Sequence, residues 1–135
     1  TSGTVFLSLA DGDKPAGIVV AKRLRALGFG IVATPGTADY LSRFGHMVDA
    51  VVGKVSEGAK ITAVNLIASG DISFVINTPQ GRGGRTDGEA IRKAANVHRV
   101  CSVTTVEAAL AAAQGMAEQI HHPLEVKSLQ EYHGR

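Results

Sequence analysis

Short apolar runs alternate with segments of helical periodicity along the chain. The run Thr4–Leu9 (TVFLSL) reads as a first strand. A loop from Ala10 to Pro15 follows, where Asp13 can cap a helix and Pro15 fits its first turn. Val20, Leu24 and Leu27 then fall on one helical face, and Gly28 ends the segment. Gly30–Thr34 reads as a second strand, Pro35–Thr37 as a turn and Ala38–Phe44 as a short helix. Asp49–Val52 is a third strand, Gly53–Lys60 a loop, and Ile61–Ser69 a helix stopped by Gly70. Ile72–Asn77 is a fourth strand. After it comes a loop rich in Gly and Arg, Thr78–Thr86, and a helix from a cap at Asp87 to about Asn96. Val100–Val103 is a fifth strand, and Thr104 or Thr105 caps a long Ala-rich helix ending near His121. Pro123 breaks that helix, and a polar tail, 123–135, is expected to pack outside any pocket.

A strand-helix order repeated five times predicts an α/β fold. Right-handed crossovers then make the sheet parallel, with helices on both faces. One domain over residues 1–122 accounts for the length, with no internal repeat. The composition fits, because 44% of the residues are hydrophobic and 19% are charged. There is no Trp, with two Tyr and four Phe, which argues against an aromatic platform for nucleic acid. The formal charge of +2 gives no reason to expect a polyanion partner. The single cysteine, Cys101, lies in an apolar run and is expected to be a small buried hydrophobe. One cysteine forms no disulfide framework, which suits a cytoplasmic location. No stretch reads as a signal peptide or membrane span. The chain begins at Thr1 rather than Met, which reads as a domain cut from a larger polypeptide.

Candidate chemistry follows from strand ends. In a parallel sheet the residues after each strand gather at the carboxyl edge, where open α/β sheets bind ligands. Here these are Lys14, then Thr34, Gly36 and Thr37, then Lys54, then Asn77 and Thr78. The set suits a phosphate. Gly36 allows close backbone approach, Thr37 opens a helix with free N–H groups, and two lysines supply charge. Each has a plainer role: a solvated lysine, a capping threonine, a turn glycine. Only their shared placement carries the argument. Gly81–Arg85 reads as a loop over this pocket rather than an RNA-binding segment. No G-x-G-x-x-G or P-loop is present, and the five histidines lack metal-ligand spacing.

Five segments together resemble a known family. They are Ser8–Lys14 (SLADGDK), Ala33–Ala38 (ATPGTA), Lys54–Gly58 (KVSEG), Val75–Thr78 (VINT) and Ser128–His133 (SLQEYH). In order and spacing the set resembles the C-terminal allosteric domain of the carbamoyl phosphate synthase large subunit. That domain is of the methylglyoxal-synthase-like superfamily. The resemblance implies a three-layer α/β/α fold with a five-stranded parallel sheet. It implies a 5′-phosphate pocket for UMP, an inhibitor, or IMP, an activator. Lys14, Thr34, Gly36, Thr37, Lys54, Asn77 and Thr78 would surround the phosphate. Ser8, Val55, Asp87 and Ile91 would line the ribose and base. It further implies a regulatory domain without catalytic residues, metal or cofactor of its own. The parent would be a ligase of pyrimidine and arginine biosynthesis that uses MgATP. Its partners would be the rest of the large subunit and a glutaminase small subunit. Two positions depart from the pattern. Pro79 stands where a hydroxyl residue is common, and Val103 where some members carry an acidic residue for ornithine. A stand-alone methylglyoxal synthase would share the phosphate pocket but needs a carboxylate base after the third strand. Gly53–Ile61 contains no Asp, and Glu57 is its one acidic residue.

Overall fold

The computed structural model describes residues 3–53, 62–79 and 85–121. Five strands form one parallel sheet: β1 (Thr4–Ser8), β2 (Gly30–Ala33), β3 (Ala50–Val51), β4 (Phe74–Asn77) and β5 (Cys101–Val103). Their order across the sheet is β3-β2-β1-β4-β5. The helices between and after them are α1 (Lys14–Ala26), α2 (Pro35–Arg43), α3 (Ala63–Ala68), α4 (Arg85–Val97) and α5 (Val106–His121).

Side chains alternate across a strand, so a sheet buried on both faces needs two cores. Val5 and Leu7 of β1 pack with Ile31, Ala33, Phe74 and Ile76 beneath α1, α2 and α5. Phe6 points the other way and packs with Val32 and Val75 beneath α3 and α4. The result is a three-layer α/β/α sandwich with β1 at its centre.

The strand order fixes where a ligand site can lie. From β1 the chain moves to β2 and β3 through helices on one face. It then crosses to β4 and moves outward to β5 through helices on the other. The two directions part between β1 and β4. Such a switch point leaves a crevice at the carboxyl edge.

Local differences from the sequence reading have clear causes. Asp13 stands at the N-cap of α1 but makes no capping bond, because a 3-10 turn over Asp11–Asp13 runs straight into the helix. Pro35–Thr37 is the first turn of α2 rather than a separate turn, with Thr34 at the cap. Proline suits that position because its missing N–H would have no partner there. Asp87 is the third residue of α4 rather than its cap; both positions favour the same residue type. Thr105 is the cap of α5, accepting from the Ala108 N–H at 3.0 Å. Cys101 is exposed, not buried. It lies on β5, an edge strand, where a side chain has a neighbouring strand on one side only.

Away from the crevice, Asp49 ties β2 to the start of β3. Its carboxylate accepts from the Ile31 N–H at 2.7 Å and from Arg25 at 2.9 Å. These hold its carboxyl below the ordinary carboxylate range, the Ile31 amide being the larger cause and Arg25 the next. A lowered folded-state pKa gives stability that is present above the unfolded value and lost as pH falls through the folded one. Asp49→Asn should therefore lower the melting temperature slightly at neutral pH, by less than about 1 kcal/mol because the pair is solvent-screened. The difference from wild type should start to narrow near pH 4 and close as pH falls through the lowered folded-state value. Melting curves from pH 7 to pH 3 check this; a gap as wide at pH 3 as at pH 7 contradicts it.

Candidate anion site at the switch point

The carboxyl edge at the switch point is formed by the ends of β1 and β4, with β2 alongside. Ser8 is in register with Asn77, and the Thr78 N–H donates to the Ser8 carbonyl at 2.9 Å. Ser8, Thr34, Asn77 and Thr78 are all buried. One step toward β2, the Thr34 N–H donates to the Leu7 carbonyl at 3.3 Å.

Two threonines then fix the segment that follows β1. The Leu9 N–H donates to Thr37 Oγ1 at 3.0 Å, and the Ala10 N–H donates to Thr78 Oγ1 at 2.7 Å. Past the end of a strand these amides have no ladder partner, and an unpaired buried amide is costly. A hydroxyl from each neighbouring strand end supplies the acceptor. Thr34 Oγ1 donates to Thr37 Oγ1 at 3.0 Å, and Thr34, at the N-cap, accepts no capping bond. Thr37 thus accepts twice and keeps its own hydrogen to donate. Thr37→Val leaves the Leu9 N–H buried without an acceptor and should cost about 1–3 kcal/mol. Thr37→Ser should restore most of it. Chemical denaturation of the three proteins checks the pair; a valine variant as stable as wild type contradicts the pin.

The pinned segment delivers Lys14. Its side chain is only 15% exposed, and its ammonium meets Asp11 Oδ1 at 2.6 Å. Lys14 also closes on α2: a β-carbon added to Gly36 would lie 3.1 Å from Lys14 Nζ. A side chain here would press on the lysine tip and move it by a few tenths of an ångström. The first N–H groups of a helix have no internal partner, and the dipole leaves that end positive. An ammonium placed on a helix N-terminus gathers two positive ends, with one exposed carboxylate in contact among the described residues. A small anion is the ligand that such a site attracts.

The structure brings together Ser8, Lys14, Thr34, Gly36, Thr37, Asn77 and Thr78 at one edge. Ile91 is buried in the core beneath α4, on the face that Phe6 also occupies. Lys54 and Val55 lie outside the described residues, as do loop 80–84, the tail, and the side chain of Asp87. Asp11 was not among the candidates from sequence. Its spacing of three before a lysine at a helix start was the available signal. Lys14 holds the Asp11 carboxyl below its ordinary range through their hydrogen bond first and charge attraction second. No group of three potential metal ligands occurs among the described residues. No described helix is long and apolar enough to cross a membrane.

Fold and crevice define an open parallel α/β domain with an anion-suited switch point. Within that class, a family model described as the MGS-like domain matches residues 17–104. The chain belongs to the MGS-like domain family. It is 44% identical over 137 residues to the carbamoyl phosphate synthase large chain of Beutenbergia cavernae, covering 98% of this chain. Corresponding large chains from Synechocystis sp. and Archaeoglobus fulgidus are 40% and 39% identical over 99% and 97% of this chain. In each case this chain spans 12% of the length of the relative. The solved structure of ForH matches with a TM-score of 0.51 at 20% identity, over 87% of this chain and 93% of that one. That likeness is one of fold.

Proposed function

We propose that this chain is the nucleotide-binding regulatory domain of a carbamoyl phosphate synthase large chain. It binds UMP, as inhibitor, or IMP, as activator, through the 5′-phosphate. Lys14 and the N-terminus of α2 take the phosphate, with Thr34, Thr37, Asn77, Thr78 and Lys54 around it. Ser8, Val55, Asp87 and Ile91 are assigned to the ribose and base from the family resemblance. The observation that carries the reading is the meeting of the Lys14 ammonium with the start of α2 at Gly36. The large-chain relatives, matched over nearly the whole of this chain, support the choice of parent. In that parent, synthesis of carbamoyl phosphate from glutamine-derived ammonia, bicarbonate and MgATP belongs to other parts of the polypeptide and to the glutaminase subunit. The nucleotide acts only through different affinities for more and less active states.

The test is thermal shift with UMP, IMP, uridine and inorganic phosphate. A ligand that binds the folded state at one hundred times its Kd adds about 2.7 kcal/mol. UMP or IMP should raise the melting temperature, phosphate should do so at higher concentration, and uridine should not. No shift with either nucleotide at millimolar concentration overturns the reading. Release of methylglyoxal from dihydroxyacetone phosphate would instead assign a lyase.

A further inference from the structure

Resting on the phosphate pocket proposed above, we propose that Asp11 is a built-in competitor for it. Its carboxylate occupies the Lys14 ammonium in the empty domain and is displaced by the phosphate of the ligand.

The geometry separates what holds Lys14 from what neutralises it. Lys14 is 15% exposed, and its side chain packs against Gly36. Its place follows from that packing and from the pinned Leu9–Ala10 backbone. Asp11 is 94% exposed and reaches Lys14 through a single 2.6 Å contact. A side chain so exposed gives its neighbour little placement. It contributes a charge, and it surrenders rotamer freedom to do so.

That charge stands where the phosphate must go. Ammonium and helix terminus attract one anion between them, and the Asp11 carboxylate already fills part of that demand. The contact with Lys14 keeps Asp11 ionised, so it is negative throughout the range in which a phosphate monoester carries its second charge, above about pH 6. An incoming phosphate therefore meets either an occupied ammonium or a like charge beside it. Both lower affinity. An occupant built into the chain also keeps the ammonium compensated in the empty state, so the domain does not carry two uncompensated positive ends.

The experiment compares wild type, Asp11→Asn and Lys14→Ala by calorimetric titration with UMP and with inorganic phosphate at low salt. Asparagine keeps size and shape and removes the charge. Asp11→Asn should bind both probes about two- to fivefold more tightly, in keeping with a solvent-exposed pair. Unliganded melting curves confirm that the variant is folded. If wild type binds UMP, Lys14→Ala weakens it, and Asp11→Asn is unchanged or weaker, this inference is overturned while the pocket stands. Weaker binding would make Asp11 a positioning residue for Lys14. If wild type binds neither probe, the functional reading fails and this inference with it.

Discussion

Phe6→Ala should destabilise the domain by about 3–5 kcal/mol, the range for truncating a buried phenylalanine. Phe6 is fully buried at the middle of the central strand. It is in register with Val32 on one side and Val75 on the other. Of the three adjacent β1 residues Val5, Phe6 and Leu7, it alone faces the α3/α4 layer, so neither adjoining apolar residue can fill the hole. In a domain of ordinary stability, about 5–15 kcal/mol in all, the melting temperature should fall by about 10–20 °C. Thermal denaturation by circular dichroism measures it. Val19→Ala is the control, since Val19 is exposed on α1 and should change stability by less than about 0.5 kcal/mol. A loss under about 1 kcal/mol for Phe6→Ala would mean that α3 and α4 do not close the sheet as described. Ser8 lies two residues further along the same face. The variant should therefore also bind nucleotide less well at temperatures where it remains folded.

Lys14→Ala has the largest expected effect on binding. A hydrogen bond to a charged partner contributes about 1.5–3 kcal/mol, so UMP affinity should fall about 10- to 150-fold. Loss of the exposed Asp11 contact should cost little stability, and loss of the mostly buried stem a modest amount. Calorimetric titration beside a melting curve separates the two. Affinity within twofold of wild type would remove Lys14 from the pocket. Unfolding is no escape from the test, since the melting curve reports it directly.

The architecture was legible because it rests on patterns that repeat. Alternating apolar runs and helical stretches gave each element and a parallel sheet. The carboxyl edge followed by bookkeeping of strand ends, which placed Thr34, Asn77 and Thr78 there; Ser8, beside them in the fold, was named by the resemblance alone. What stayed hidden depends on tertiary neighbours. Cys101 sits in an apolar run, yet only its place at the sheet edge exposes it. Thr37 and Thr78 look like phosphate donors in a motif. In the fold both are 1% exposed and serve first as acceptors for a neighbouring backbone. The pairing of Asp11 with Lys14 is local in sequence, but its meaning comes from Gly36, twenty-two positions on from Lys14. Periodicity locates a residue on an element. It does not say which element will stand opposite.

The two threonine pins have a further consequence. The Leu9 and Ala10 amides are shielded from water each by one particular hydroxyl, borrowed from opposite flanks of the central strand. Their hydrogen-exchange rates therefore read two separate events, parting of the first strand from the second and parting of the first from the fourth. Adjacent in sequence, the two amides act as a differential gauge of which flank loosens.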